Sequence, residues 1–461
     1  MKNKILLFVS FICTGLLGQS VIGVDTLRRS GPINKRINLV LMGDGYITSQ
    51  IPQYVTDATT VSSYLLNTAP FNRYQNYFNV YAIKCVSPQS GVTHAGTATD
   101  VTEPASPILN VTNYFDTQFD NYNIHRLIYS NNQTNIYSVL AANFPNYDQV
   151  VILGNSTEYG GAGGAYAVSS VNSNSKEIVA HEIGHSFAGL ADEYWAGASY
   201  AVEKPNMTAD NSSSIKWAPW LGINSIGAYA YGTAAPDNGW YRPHQNCKMR
   251  YLGSPYCAVC AQTIIEKIHS LTNPIDVYTP DNTGAVGAQW FKAKLIQPNP
   301  NTLKRSWTLN SIIIANNIDS VLINAGSLPT GNNIVTLTVI DTTVLTKDIS
   351  HAALHTFATS WSVNKNILTG LEEVKAQLEF SMYPNPASTV INLKYNVLEA
   401  AQLNIAITDL SGKAVIKVDN AKTPAGQYVK EIDVKELTEG IYFLSISING
   451  QTTNTKFVIF K

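Results

Sequence analysis

The sequence predicts a multidomain protein: an α/β domain, then an immunoglobulin-like β-sandwich, then a small C-terminal β-sandwich. Three observations predict it. Strand-like and helix-like stretches alternate from Arg36 to His269, short β-branched runs bounded by Gly, Pro and Asn fill Asn273 to Lys365, and a second set of alternating runs occupies Phe380 to Lys461. A chain of 461 residues has room for two to four domains at about 100–200 residues each.

Composition narrows the function classes. Lys+Arg (31) nearly balances Asp+Glu (32), the net charge is −1, and no basic block stands out, which excludes a nucleic-acid binder working by global electrostatics. An apolar content of 45% with 25 Tyr and 7 Trp excludes a disordered chain.

In chain order, Lys2 and Lys4 precede an apolar run from Ile5 to Leu17 and a small, polar stretch at Gly18, Gln19 and Ser20. This is the order of a secretory signal peptide, expected over residues 1–20, and the run is shorter than the ~20 residues a membrane span needs. No later stretch is long and apolar enough to span. Within the α/β domain, expected over 21–272, Ile37 to Met42 and Gln149 to Leu153 read as buried strands, and Ile51 to Leu66 has helical spacing. The immunoglobulin-like sandwich, expected over 273–365, contains the runs Ser311 to Ala315 and Asn333 to Ile340. A linker, 366–379, carries the charge cluster Glu372-Glu-Val-Lys375. The last domain, 380–461, has runs at Thr389 to Tyr395, Gln402 to Thr408, Ala414 to Val418 and Ile441 to Ile448.

The chemistry concentrates in Ser175-Lys-Glu-Ile-Val-Ala-His181-Glu182-Ile-Gly-His185-Ser-Phe-Ala-Gly189-Leu-Ala-Asp192-Glu193-Tyr194. Ile178, Val179, Ile183 and Phe187 form a helical stripe, so both histidines lie on one helix, about 40° and 6 Å apart. Two imidazoles so placed reach one Zn2+, and Glu182 stands where a general base would hold a water. A catalytic zinc takes a third protein ligand. The common continuation puts Gly three and a ligand six residues after the second His; here Ala188 and Ala191 occupy those places, and Gly189 and Asp192 come one residue later. A helix ending at Gly189 with one extra residue in the turn brings Asp192 back to the metal, with Glu193 and Glu266 as alternatives. Tyr241 and Arg242 are candidates for stabilising the oxyanion.

Other features carry bland readings. Gly160 to Ala165 lacks the Lys-Ser/Thr ending of a phosphate loop and reads as a flexible loop beside a strand, Tyr166 to Ser170, able to pair with extended substrate. Asp44 reads as a turn former, and His94, His125, His244 and His269 as surface or satisfied histidines. With Cys13 inside the leader, Cys85, Cys247, Cys257 and Cys260 remain, an even set that reads as two disulfides in an exported protein. Half of a structural zinc site or a redox pair at Cys257-Ala-Val-Cys260 is not favoured, because only one other cysteine lies nearby and no thioredoxin-like βαβ context surrounds it. No Gly-x-Ser-x-Gly elbow supports serine catalysis.

The pattern His181-Glu-Ile-Gly-His-Ser-Phe-Ala-Gly-Leu-Ala-Asp-Glu-Tyr194 resembles the IgA-metallopeptidase family of bacterial zinc peptidases. Asn38 to Tyr46, Pro70-Phe71, Tyr77 to Asn79, Pro205 to Thr208, Tyr241 to Pro243, Cys247 to Arg250 and Tyr256 to Cys260 extend the resemblance over most of 36–270. It implies a metzincin-like peptidase fold, protein or peptide substrates, and Met249 as a methionine turn beneath the zinc. Tyr383-Pro-Asn-Pro386, Asp409 to Lys413 and Glu439 to Phe443 resemble the C-terminal sorting domain of the type IX (Por) secretion system. That implies export by this machinery to the surface or surroundings of a Bacteroidetes-type bacterium. Two functions compete: a secreted zinc endopeptidase with Glu182 as base, or a surface protein- or glycan-binding module whose zinc site is structural or inactive.

Overall fold

A computed structural model describes residues 20–232, 239–365, 378–397, 400–448 and 451–461. The expected leader lies outside the described residues apart from Ser20, as does the expected linker apart from its last two residues. The chain divides into two compact units. One runs to Asp276 and includes Leu295–Lys304 and Val339–Phe357; the other comprises Val277–Lys294, Arg305–Thr338 and Ala358–Lys461.

The first unit contains β1 (Ser20–Arg28), β2 (Ile37–Asp44), α1 (Ile51–Asn67), β3 (Phe78–Val86), β4 (Thr117–Gln118), β5 (Tyr129–Ser130) and α2 (Gln133–Asn143). After them come β6 (Gln149–Gly154), β7 (Gly161–Ala162), β8 (Ala167–Ser170), α3 (Ser175–Ala188), β9 (Tyr229–Ala230), β10 (Tyr241–Arg242) and α4 (Ala258–Leu271). Six strands form one sheet in the order β1-β3-β2-β6-β8-β7. Its middle four are parallel, and β1 and β7 close the ends antiparallel.

Side chains alternate between the faces of a strand, so an unbroken apolar run means that both faces are covered. Strand β2 obeys this: Ile37, Leu39 and Leu41 enter a core with α1, α3 and α4, while Val40 and Met42 enter a second core with α2. Helix α1 buries Ile51, Tyr54, Ala58, Val61, Leu65 and Leu66, the three-and-four spacing of a single packed face. The end of β2 is tied down by Asp44, which is fully buried. Its carboxylate accepts from the backbone N–H groups of Gly45, Tyr114, Phe115 and Thr117 at 2.6–3.1 Å and from the Ser87 hydroxyl at 3.1 Å. The residue thus does more than form its own turn, because it fixes a loop some seventy positions away.

Two stretches of the expected 273–365 sandwich fold with the first unit. Buried tyrosine hydroxyls need acceptors, and these stretches supply them: Tyr74 donates to Asp341 at 2.7 Å and Tyr77 to the Ile296 carbonyl at 2.8 Å. Ile275–Thr279, Trp290–Leu295 and Ser320–Leu322 form a three-stranded sheet. Ile312–Asn316, Leu303–Leu309, Asn332–Asp341 and Thr356–Asn364, in that order, form a four-stranded one. In the C-terminal region, Leu378–Tyr383, Val390–Val397 and Gly426–Asp433 form one sheet, and Ala414–Thr423, Ala401–Thr408, Gly440–Ile448 and Gln451–Ile459 another. Alternate residues of these strands, among them Ile391, Leu393, Leu403, Ile405, Leu444 and Ile446, make a single core.

Candidate metal centre

Helix α3 buries Ile178, Val179, Ile183 and Phe187 and carries Glu177 in its first turn, where the helix dipole favours an acid. It ends at Gly189, whose φ of 67° is left-handed and cheap only for glycine. The Gly189 N–H donates to His185 and the Leu190 N–H to Gly184, which closes the helix and turns the chain back. The returning segment is pinned on both sides. Asn206 exchanges hydrogen bonds with the backbone of Ala191 at 2.7 and 2.9 Å, and the Glu193 N–H donates to the Met249 carbonyl at 2.7 Å.

This reversal brings three donor atoms together. Asp192 Oδ1 lies 3.0 Å from His181 Nε2 and 3.2 Å from His185 Nε2, and the two Nε2 atoms are 3.2 Å apart. Each ring is oriented from behind: His181 Nδ1 donates to the Lys248 carbonyl at 2.9 Å and His185 Nδ1 to the Leu190 carbonyl at 2.7 Å. With Nδ1 protonated, a neutral ring aims its Nε2 lone pair at the carboxylate and at the other ring. Such a triangle needs a cation at its centre, either a proton or a metal. Burial by itself would lower the His185 imidazole, but the hydrogen bond and charge of Asp192 outweigh it and hold it at about 9. Burial would likewise raise Asp192, and the two imidazoles reverse this, keeping it well below the usual carboxylate range.

Glu182 is buried beside the triangle, and burial pushes its carboxyl up by more than the neighbouring imidazoles pull it down. The glycine run packs against it. A Cβ added at Gly163 would sit 2.8 Å from both Glu182 Oε2 and His185 Cβ, so only glycine allows this approach. Beneath the helix, Met249 is fully buried, and a Cβ at Gly184 would lie 2.5 Å from its Sδ. His181, Glu182, His185 and Asp192 open onto a cavity of about 960 Å³, lined also by Tyr194, Arg126 and the Gly161–Gly164 backbone. The Tyr194 ring lies 6.3 Å from that of His181, with the Arg126 guanidinium 5.5 Å from its centre.

The other sequence candidates fall elsewhere. Glu193 is fully buried and turned from the histidines, accepting from Asn206 at 3.0 Å. Glu266 binds Gln262 and His351, both at 2.8 Å. Tyr241 and Arg242 do not line the cavity: the Tyr241 hydroxyl accepts from Asn211 at 2.9 Å, and Arg242 donates to Gln245 at 3.3 Å. They lie between the helix and Met249 in sequence only, because β10 pairs with β9 and carries them aside. Tyr194 and Arg126 occupy the cavity instead. Tyr194 was legible as the end of the motif, whereas nothing local marks Arg126. Strand β8 is paired on both sides, so the sheet edge beside the cavity belongs to β7 rather than to Tyr166–Ser170.

Two histidines read as bland are not surface residues. His94, His125 and Asp120 are buried and Glu103 is half-buried beside them, and their donor atoms lie within 4.8 Å of one another, a group able to hold a metal. His94 Nε2 and Glu103 Oε1 have no hydrogen-bond partner there. His269 Nδ1 lies 2.8 Å from His355 Nδ1 and its Nε2 3.2 Å from the Asp341 carboxylate, and His244 caps a turn by accepting from the Asn246 N–H. The expected disulfides are not formed: all four cysteines are free and buried. Cys85 packs in the α2 core, apart from the other three, which belong to the core on the opposite face of the sheet.

The His-Glu-x-x-His helix thus brings His181, Glu182 and His185 to an open cavity as a group whose donor atoms could hold a metal ion. Residues 26–225 match the family described as IgA Peptidase M64, and residues 381–460 match the secretion system C-terminal sorting domain. The sorting domain marks the protein as secreted or displayed on the outer-membrane surface of a Bacteroidetes bacterium. Among the described residues no helix is long and apolar enough to cross a membrane. No curated protein matches the sequence. Among solved structures, the chain is similar to dimeric latent PorU from Porphyromonas gingivalis, at 13% identity and TM-score 0.19, covering 39% of this chain and 19% of that one. It is similar also to PorZ of the same bacterium's type IX secretion system, at 12% identity and TM-score 0.14, over 27% of this chain and 15% of that one. SGBP-B of the Bacteroides ovatus mixed-linkage glucan utilization locus gives 11% identity and TM-score 0.14, over 40% of this chain and 47% of that one. The chain thus spans less than a fifth of the length of the first two.

Proposed function

We propose that this protein is a secreted zinc-dependent endopeptidase acting on extracellular proteins. In this reading its α/β unit is metzincin-like, and the immunoglobulin-like sandwich and the sorting domain are accessories. The observation that carries it is the triangle of His181, His185 and Asp192 beside the buried Glu182, open to a cavity large enough for a peptide segment. The donor set fits zinc: two Nε2 lone pairs oriented by backbone carbonyls and one carboxylate, at the separations tetrahedral ligands take.

Zinc held by these three residues would supply a Lewis acid and a water acidified toward a pKa of ~7. Glu182 accepts the proton of the attacking water on its carboxylate and returns it to the leaving amine. Tyr194 and Arg126 take the role first given to Tyr241 and Arg242, donating to the carbonyl oxygen as it gains charge. The β7 edge and the glycine run offer backbone N–H and C=O groups to an extended chain. Residues 380–461 are the part read by the type IX machinery.

The test is cleavage of a generic unfolded protein by the full chain. Replacing Glu182→Gln is expected to lower kcat/KM by about 10²–10⁴-fold while leaving metal content unchanged, and a chelator is expected to abolish cleavage. Equal cleavage by wild type and the variant would sink the peptidase reading. Bound metal with no cleavage of any tested protein would favour the binding module.

A further inference from the structure

Glu193 poses a separate question. It is fully buried, Oε1 accepts from Asn206 at 3.0 Å, and Oε2 has no hydrogen-bond partner. No Lys, Arg or His nitrogen pairs with it among the described residues; Arg242 is within electrostatic reach but forms no ion pair with it. A buried carboxylate left so is costly unless a cation accompanies it. Around it stand three buried thiols. Cys260 Sγ lies 3.2 Å from Glu193 Oε1 and 3.7 Å from Cys247 Sγ, and the Cys257 N–H points at Cys247 Sγ from 3.3 Å. Donor atoms of Glu193, Cys247, Cys257 and Cys260 all lie within 4.8 Å of one another.

The geometry points to a second, structural zinc site formed by Cys247, Cys257, Cys260 and Glu193. Tetrahedral zinc with Zn–S of about 2.3 Å and Zn–O of about 2.0–2.2 Å sets S···S near ~3.8 Å and S···O near ~3.5 Å; the observed separations are 3.7 and 3.2 Å. Four protein ligands and complete burial leave no position for water, as in structural rather than catalytic sites. Binding sends the three thiol protons to solvent, so three thiolates and one carboxylate around Zn2+ leave two excess negative charges. The N-terminus of α4, where Cys257 is the N-cap, and Arg242 oppose that excess. A single disulfide among the three would strand the third thiol and leave the carboxylate without a cation.

The position of the site gives it a task. Glu193 adjoins Asp192, and Cys247 adjoins Lys248, whose carbonyl orients His181, and precedes Met249 by two residues. One ion would therefore staple the returning segment, the turn beneath α3 and the start of α4. The site stands without the peptidase reading; only this consequence rests on it.

Cobalt loading of the full-length protein, purified without oxidation, tests the site. Three thiolates give an intense sulfur-to-cobalt charge-transfer band, which the His181, His185 and Asp192 set cannot produce because it has no sulfur. The band is expected in wild type and in Glu182→Gln, and is expected to vanish in Cys257→Ser and Cys260→Ser. Glu193→Gln is expected to keep it with metal affinity lowered about 10–100-fold. Should the cysteine variants fail to fold, mass spectrometry of unreduced wild type still decides. Alkylatable thiols at Cys247, Cys257 and Cys260 together with the band support the site. A disulfide between any two of these three cysteines, or all three as thiols without the band, overturns it.

Discussion

Asp192 and Glu193 are consecutive carboxylates in one turn, yet they face opposite surroundings. The Asp192 side chain retains 22% exposure and looks into the cavity with two imidazoles; Glu193 has none and looks into a sealed nest of thiols. The returning chain carries the two side chains to opposite sides, so one short stretch serves both groups. The difference teaches that residue type alone does not assign a role to an acid. Openness to a substrate-sized cavity suits the first to chemistry, and closure suits the second to architecture.

The largest expected effect separates the two directly. Asp192→Ala should remove the metal from the cavity and bring cleavage below detection, whereas Glu193→Gln should leave measurable cleavage with a lowered melting temperature; activity and thermal unfolding, measured side by side, check this. Next comes the support behind His181. Lys248 is buried, and its ammonium lies 2.6 Å from Glu177. Removing it in Lys248→Ala should cost about 2–3 kcal/mol of stability, the worth of a charge-assisted hydrogen bond together with lost packing, as read from denaturant titrations. Burial pushes Glu177 up, but hydrogen bonds from Lys248, Tyr64 and Gly253 outweigh it and hold the carboxyl below its ordinary value. The sign follows: this stabilisation is complete above the ordinary carboxylate pKa and is lost as pH falls through the depressed value. The wild-type advantage over Lys248→Ala should therefore shrink in acid.

Smaller effects test the cavity wall. Gly163→Ala should lower kcat/KM by about 10–100-fold, because the added methyl displaces the glycine run from Glu182 and His185. Stability should change by no more than about 1 kcal/mol, as for a single methyl on a partly exposed loop. The smallest contrast is between two tyrosines. Tyr194→Phe should reduce kcat by about ten-fold or more through loss of one donor to the developing charge, while Tyr241→Phe should leave it unchanged, since its hydroxyl binds Asn211 outside the cavity.

Much of this molecule was legible because its signals are local. The unbroken run Ile37 to Met42 announced a doubly covered strand, the stripe through Ile178 and Phe187 announced the helix, and Gly189 marked the helix end that returns the chain. The C-terminal strands Val390–Val397, Ala401–Thr408, Ala414–Thr423 and Gly440–Ile448 followed from period-two alternation, in which neighbouring residues decide the face, whereas Leu378–Tyr383 and Gly426–Asp433 did not. What escaped depends on residues distant in sequence. Arg126 reaches the cavity from the loop before β5, and Asp44 organises a loop that sequence spacing does not connect to it. The stretches around Leu295–Lys304 and Val339–Phe357 look like sandwich but fold with the first unit, because buried Tyr74 and Tyr77 take their acceptors from them.

The cysteines mark the boundary most clearly. Sequence by itself determined the α/β and β-rich regions and the histidine pair, since periodicity and four-residue spacing on a helix are properties of the backbone, and it carried the resemblance to a sorting domain in its tail. It could count three neighbouring cysteines but could not supply a fourth ligand. Only the tertiary structure decided that Asp192 meets the histidines while Glu193 meets the thiols, because the direction of each side chain is set by the turn at Gly189 and by what packs behind it.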